Sequence, residues 1–125
     1  MRRRKAVTPE ECAAFLKALS DKVRLEIIAL LSRREWSVTE LAKHLRLSQP
    51  LTSHHLALLR SVGIVTTRRE GRRIFYRLNR SFWQKVERGE EIDLGCCSVR
   101  FRPVVAQWME LDAKASSEKA TWARR

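Results

Sequence analysis

The sequence has no apolar run long enough to cross a bilayer, and the run from Ile27 to Leu31 is far too short for that. It also lacks a glycine-rich phosphate loop, a nucleophile elbow and a pair of carboxylates set in an apolar pattern. These absences make an enzyme the least favoured class. No signal peptide is visible, because Pro9, Glu10 and Glu11 interrupt the residues after the basic N-terminus. We therefore expect a cytoplasmic protein without a membrane partner.

Cysteine is scarce as well, with 3 residues in 125. An odd number of cysteines without an export signal is typical of a reducing compartment. Acidic residues are few beside basic ones, since 14 Asp and Glu stand against 26 Lys and Arg, and the net charge is +12. Half of that excess lies at the two ends of the chain, at Arg2, Arg3, Arg4, Lys5, Arg124 and Arg125. The remainder is therefore basic too, which predicts a polyanionic partner and favours nucleic acid over an acidic membrane surface.

Capping signals predict four helices in the first half of the chain. Thr8 to Glu11 begins a helix that ends near Leu19, and Ser20-Asp21 begins a second, nearly fully buried one. Ser37 to Glu40 is a capping box that opens "VTELAKHL", and Ser48 caps "QPLTSHHLALLRSV". Two short helices joined by a tight turn are typical of a helix-turn-helix.

A β-hairpin is predicted directly after the fourth helix. The β-prone runs "IVTTRR" and "RRIFYRL" flank the turn dipeptide Glu70-Gly71. Helix, helix, helix-turn-helix and hairpin is the winged-helix order, so we predict a mainly α fold with a small β-hairpin wing. We also predict three regions: a basic arm over residues 1–8, a winged helix-turn-helix DNA-binding domain over 9–80, and a C-terminal segment over 81–125 with the adjacent cysteines and a dimerisation helix.

That C-terminal segment divides into a short helix, an extended stretch and a longer helix. "SFWQKVER" is predicted as a brief helix that Gly89 ends, and residues 90–101 have no helical period. From Pro103 onward, an amphipathic helix is predicted with one apolar stripe, formed by Val104, Val105, Trp108 and Leu111. The monomer core does not obviously need this stripe, which therefore predicts a homodimer.

The fourth helix has a predicted core face and an opposite face of small or hydrogen-bonding side chains. A helical wheel assigns the core face to Leu51, His55, Leu58, Leu59 and Val62, and makes His55 a buried structural histidine. The opposite face lacks acidic residues, and its short side chains would let the helix enter a major groove, where Gln49 can pair bidentately with adenine. The predicted DNA contacts on this helix are Ser48, Gln49, Thr52, Ser53, His54 and Arg60.

Four arginines surround the tip of the predicted hairpin: Arg68, Arg69, Arg72 and Arg73. Such a cluster stabilises a fold poorly but suits contacts to phosphates or a minor groove. Simple solvation is the alternative for both this loop and the polar helix face. An RNA-binding winged helix is a further alternative, which exposed aromatic platforms would favour. The aromatic residues of this chain mostly fit core or interface positions instead.

The run from Val38 to Leu78 resembles the DNA-binding core of the ArsR/SmtB family of bacterial winged-helix regulators. Ser48 to Val65, "SQPLTSHHLALLRSVGIV", is the specific part, and "ALSDKVRLEIIALL" resembles the second helix of the family. The likeness covers roughly residues 10–80. It implies a homodimeric transcriptional repressor that binds a palindromic operator and releases it when an inducer binds. In the family the first and last helices form the dimer interface, here Phe15 and the stripe after Pro103.

Two common sensor sites of that family are missing. The Cys-x-Cys-Asp site would fall at Ser37 to Glu40, and a zinc or nickel site on the last helix is nearly excluded, since no histidine follows His55. Cys96 and Cys97 remain, and two thiolates suit arsenite, antimonite or another thiophilic ion, with Cys12 of either chain as a third sulfur. The alternatives are redox or persulfide sensing at the same thiols, and cysteines that only pack in an inducer-independent repressor.

Overall fold

The computed structural model describes residues 7–101. Helices and short strands follow one another in that range as α1 Pro9–Leu19, α2 Lys22–Leu31, β1 Trp36–Ser37, α3 Val38–Leu45, α4 Gln49–Ser61, β2 Val65–Glu70, β3 Arg73–Leu78, α5 Arg80–Arg88, β4 Ile92–Asp93 and β5 Ser98–Val99. The prediction of a mainly α winged helix-turn-helix with a β-hairpin wing is confirmed. Dimerisation stays a prediction.

Side-chain caps begin the helices where the sequence predicts them. Thr8 and Glu11 form a capping box, in which the Glu11 N–H donates to Thr8 Oγ1 over 3.1 Å and the Thr8 N–H donates to Glu11 Oε1 over 3.3 Å. Ser37 and Glu40 repeat this arrangement at 3.1 and 2.9 Å on α3. Ser48 Oγ accepts from the Leu51 N–H over 3.2 Å and caps α4. These bonds satisfy amide groups that lack a partner within the helix, which explains the accuracy of the predicted starts.

The core lies between α2, α4 and the base of the wing. Helix α2 contributes a continuous buried run, from Ile27 to Leu31. Leu56 and Leu59 of α4 and Ile64 at the start of the wing are fully buried against it. Burial of about 1.5–3 kcal/mol per large apolar side chain, before entropy costs, makes this cluster the main stabilising contact of the described residues.

The wing is a three-stranded antiparallel sheet in the order β1-β3-β2. Val65 pairs with Leu78 and Glu70 with Arg73, so the register ends in a tight turn at Gly71, which has a φ of 63°. A glycine adopts this left-handed conformation at little cost. Strand β1 was not predicted, because two residues are too few to show a strand period.

The segment after α5 folds back as a second, two-stranded hairpin. Ile92 pairs with Val99 and Asp93 with Ser98. Ile92 and Leu94 are buried, at 8% and 6% exposure, and this anchors the strands to the body of the domain. The segment is thus extended, as predicted, and its turn presents the adjacent cysteines.

The buried face of α4 differs from the predicted one. Leu51 is 43% exposed, whereas Thr52 is 0% exposed. The buried residues are Thr52, His55, Leu56 and Leu59, which have the i, i+3, i+4, i+7 spacing of one helix face. Placing Leu51 in the core was wrong, and so was the assignment of Thr52 as a DNA contact. Leucines surround much of this helix, so apolarity alone does not select the inner face.

Several predictions fall outside the described residues. These are the arginines of the basic N-terminal arm and the helix after Pro103 with Val104, Val105, Trp108 and Leu111. The division into regions 1–8, 9–80 and 81–125 stays a prediction. Among residues 7–101, no helix is long and apolar enough to span a membrane.

Candidate nucleic-acid interface and cysteine cluster

The first turns of α4 present a polar, acid-free surface. Gln49, Ser53 and His54 are exposed there, and Arg60 is exposed on the same side of the helix, about three turns further along. Ser48 is exposed as well, but its hydroxyl is engaged as the cap of α4. Apart from Thr52, every residue predicted on this helix is therefore accessible to a partner. Small polar groups at a helix N-terminus are suited to approach base edges and phosphates closely.

Gln49 is held by the preceding helix. Its Nε2 donates to Oγ1 of Thr39, on α3, over 3.0 Å, and both side chains are exposed. The turn between the two helices makes this contact possible, since Arg46 is left-handed with a φ of 59° and the Leu47 N–H donates to the Ala42 carbonyl over 3.0 Å. Sequence reasoning treated Thr39 only as part of a capping box and missed its contact with Gln49.

The wing arginines fall into two groups. Arg69, Arg72 and Arg73 are exposed near the tip of the hairpin, where they can reach a polyanion. Arg68 is instead bound to Glu35, with Nε–Oε1 and Nη2–Oε1 distances of 2.9 and 2.7 Å. The structure therefore brings three of the four predicted arginines to the exposed surface of the wing, with Arg73 also lying over the Phe75 ring, 4.9 Å from its centroid, and commits the fourth to an ion pair within the protein.

Glu35 connects the wing to the body of the domain. It lies between α2 and β1 and contacts Arg68 of β2 and, over 3.4 Å, Arg77 of β3. The hydrogen bond from Arg68 holds the pKa of the Glu35 carboxyl below its usual value. Arg68 also lies over the Phe75 ring, 4.9 Å from its centroid. The two contacts of Glu35 hold β2 and β3 against the segment between α2 and β1, since both strands are bound at one carboxylate.

A buried polar network supports α4 from behind. Arg24 of α2 is 6% exposed and donates to the carbonyls of Ala18 and Lys17 at the end of α1, over 2.8 Å in each case. Its Nη1 lies 3.0 Å from Nδ1 of His55. A guanidinium can only donate, so His55 accepts through Nδ1 and is neutral. Burial lowers the pKa of His55, although Asp21, 3.8 Å away, opposes the shift. This environment agrees with the predicted structural role of His55.

All three cysteines lie together. Cys12 is on α1, Cys96 and Cys97 are in the β4–β5 turn, and the three Sγ atoms lie within 4.8 Å of one another. Cys12 and Cys96 form a disulfide in this structure, and Cys97 Sγ lies 3.7 Å from Cys96 Sγ. The sequence predicted Cys12 of either chain as the candidate third sulfur; the structure places it beside Cys96 of the same chain, across a sequence separation of 84 that no local pattern spans.

The cluster lies at the surface of the domain. Arg100, which follows the cysteines on the same hairpin, is bound to an acidic residue, with 3.3 Å between its Nη2 and Glu91 Oε2. Cys96 and Cys97 are exposed and Cys12 is half-buried. Once the Cys12–Cys96 disulfide is reduced, the donor set fits a soft ion, because three sulfurs on two elements converge on one place and the hairpin that carries two of them is anchored in the core.

Comparison with known proteins places these features in context. The profile of the family described as "Bacterial regulatory protein, arsR family" matches residues 21–67. The arsenical resistance operon repressor of Staphylococcus xylosus is 40% identical over 91 residues, covering 70% of this chain and 88% of the relative. The transcriptional activator HlyU of Vibrio cholerae is 44% identical over 69 residues, or 55% and 64% of the two chains.

A solved structure extends the comparison. The transcriptional repressor BigR from Xylella fastidiosa superposes with a TM-score of 0.51 at 44% identity, over 58% of this chain and 74% of that one. The relatives named here are regulators of transcription and not enzymes.

Proposed function

The chain belongs to the arsR family of bacterial regulatory proteins and is a DNA-binding regulator of transcription; we propose that it is a repressor that binds a palindromic operator as a homodimer. The observation that carries this proposal is the acid-free N-terminal surface of α4 beside the exposed arginines of the wing. Membership of a family of transcriptional regulators sets the RNA-binding alternative aside.

In this proposal α4 enters the major groove and the wing contacts the backbone or minor groove beside it. Gln49 and Ser53 are the base-reading candidates, because amide and hydroxyl groups match base edges. Ser48, His54 and Arg60 flank them and contact phosphates or bases. Arg69, Arg72 and Arg73 supply contacts that depend on charge and not on sequence. Arg68 contributes through its bond to Glu35, which holds the wing in place.

Dimerisation through the first and last helices accounts for a palindromic operator, since two recognition helices then meet two half-sites about one helical turn apart. On α1, Phe15 is half-buried and Leu16 is 41% exposed, which leaves apolar surface for a partner. The stripe of Val104, Val105, Trp108 and Leu111 is the proposed second half of the interface.

The experiment that tests DNA recognition is selection of bound duplexes from a random library, followed by affinity measurements on the operator found. Gln49→Ala should relax the preference at one position of each half-site by about 1–3 kcal/mol. The matched control is Gln84→Ala, which removes an exposed glutamine of α5 that is not part of the N-terminal surface of α4. It should leave the base preference unchanged. If Gln49→Ala weakens all sequences equally, Gln49 does not read a base.

We further propose that Cys12, Cys96 and Cys97 form the inducer site, with arsenite or antimonite as the ligand. With all three thiols reduced, each can displace one hydroxyl from arsenous acid as water, so three As–S bonds form and three waters leave. The site would join α1 to the β4–β5 hairpin, immediately before the proposed dimer helix. Ligation need favour a second dimer state by only a few kcal/mol to release DNA.

A redox switch at the same cysteines is the second candidate, and the Cys12–Cys96 disulfide favours it. Here the two thiols lose two electrons and two protons to a thiol oxidant such as an organic disulfide or a persulfide. The two candidates differ in their need for Cys97, which lies outside the disulfide.

One set of variants separates the two mechanisms. Release of DNA by arsenite and release by oxidant should both be lost in two variants: Cys12→Ser, and the double variant Cys96→Ser, Cys97→Ser. The single variant Cys97→Ser should release DNA less readily with arsenite and as readily as wild type with oxidant. Release is measured on the operator with reduced protein, with and without arsenite, and separately with a persulfide donor. If wild type and the double variant dissociate equally in every condition, the cysteines do not sense an inducer.

A further inference from the structure

We propose that Thr39 is a positioning residue for base recognition, because its hydroxyl holds the Gln49 amide in the orientation that pairs with adenine. This inference rests on the proposed role of Gln49 as a base reader. It assigns a specificity function to a residue of α3, the helix that precedes the recognition helix. The two side chains are ten positions apart in sequence and 3.0 Å apart at Nε2 and Oγ1.

The placement of both residues is well defined by the fold. Thr39 is the second residue of α3 and Gln49 is the first residue of α4. The capping box of Ser37 and Glu40 fixes the start of α3, and the Ser48 cap fixes the start of α4. The turn between the helices is closed by the bond from the Leu47 N–H to the Ala42 carbonyl. These contacts fix the backbone positions of both residues, and the bond from Nε2 to Oγ1 then sets their side chains relative to each other.

The chemistry of the amide explains why one hydrogen bond matters. A glutamine side chain carries two N–H donors and one carbonyl acceptor. Bidentate pairing with adenine uses one donor toward N7 and the acceptor toward N6. The Thr39 hydroxyl accepts from the second N–H of the Gln49 amide. This leaves one N–H and the carbonyl oxygen free for adenine, and it opposes rotation of the amide. A guanine edge, which offers two acceptors, would need two donors directed at the base.

Preorganisation also lowers the cost of binding. A glutamine that is unrestrained in the unbound protein must lose side-chain freedom when it pairs with a base, whereas Gln49 is already restrained. The ordering cost of one such side chain corresponds to roughly a twofold to tenfold change in affinity. The effect should fall on the adenine-containing operator, because the restraint helps the contacts that adenine makes.

The test compares Thr39→Val, which keeps the shape and removes the hydroxyl, with Thr39→Ser, which keeps the hydroxyl. Affinity is measured for the selected operator and for operators with each other base at the position where Gln49→Ala relaxes preference. Thr39→Val should lower the ratio of adenine to other bases by roughly twofold to tenfold, and Thr39→Ser should retain the wild-type ratio. In a Gln49→Ala background, Thr39→Val should leave the ratio unchanged.

The outcomes separate this inference from the proposed function. If Gln49→Ala relaxes the preference and Thr39→Val does not, the positioning role is refuted and the reading role of Gln49 stands. Equal weakening of all operators by Thr39→Val also refutes the positioning role. The same holds if Thr39→Val lowers the adenine ratio as much in the Gln49→Ala background as in the wild-type protein. If Gln49→Ala leaves the base preference intact, both assignments fail.

Discussion

Replacing Arg24 by methionine should destabilise the protein strongly. The substitution keeps an unbranched apolar stem of similar reach and removes only the guanidinium. Three acceptors then lose the guanidinium: the carbonyls of Lys17 and Ala18, each at 2.8 Å, and Nδ1 of His55 at 3.0 Å. The Lys17 carbonyl keeps a 3.2 Å bond from the Ser20 N–H. The three acceptors belong to α1 and α4, so the change acts on the joints between α2 and two neighbouring helices.

The magnitude follows from burial and charge. A hydrogen bond that involves a charged group contributes about 1.5–3 kcal/mol, and three independent ones would contribute about 4.5–9 kcal/mol. The three bonds share one group and are not independent, so their sum is an upper bound. A buried acceptor left without its donor costs about 1–3 kcal/mol, so three acceptors that belong to one network and are not additive give about 3–5 kcal/mol. We expect the free energy of unfolding to fall by about that amount.

The assay is urea unfolding followed by tryptophan fluorescence, at fixed protein concentration and with reductant present. Arg33→Met makes the same chemical change at an exposed position and should alter stability by no more than about 0.5 kcal/mol. Combining Arg24→Met with His55→Leu should lower the free energy of unfolding by less than the sum of the two single changes. The leucine has no buried acceptor that the loss of the guanidinium would leave unsatisfied. A loss below about 1 kcal/mol for Arg24→Met would refute the reasoning.

Three further predictions concern pH, DNA affinity and assembly. The pKa of His55 lies below its ordinary value of 6.5 in the folded state, so the unfolded chain takes up the proton first and the free energy of unfolding should fall as pH drops below 6.5. His55→Gln should lose less stability than wild type between pH 7, 6 and 5 in urea unfolding, and an equal loss in the two proteins would contradict this. Arg72→Ala should weaken all duplexes alike and shallow the salt dependence of log affinity by about one, whereas a sequence-dependent loss would contradict a phosphate contact. Trp108→Glu should shift the mass measured by light scattering at micromolar concentration from dimer to monomer, and a wild-type monomer would refute the dimer itself.

The starts of the helices were predictable because their signals are local. Thr8, Ser37 and Ser48 each cap a helix with a side chain that bonds an amide three residues on, and such a bond depends only on neighbouring residues. The wing was predictable for the same reason, since Gly71 supplies the left-handed turn between two β-prone runs. The order of these elements was sufficient to identify the winged helix-turn-helix.

Helix phase and side-chain partners were less accessible. Leu51 and Thr52 exchanged their predicted environments, because a helix with leucines on several sides has no single apolar face until α2 and the wing pack against it. Arg68 and Arg72 look alike in sequence, and only the fold brings Glu35 to one of them.

Local chemistry in the sequence therefore specified most of the elements, their order and the basic, acid-poor surface that we propose meets DNA. The tertiary structure decided which groups far apart in the chain come together: Cys12 with Cys96, Arg24 with His55, and Thr39 with Gln49. The physical reason is the range of the forces involved. A cap or a turn is satisfied within four residues, whereas contacts across the domain depend on how complete helices and strands pack, which no short stretch of sequence encodes.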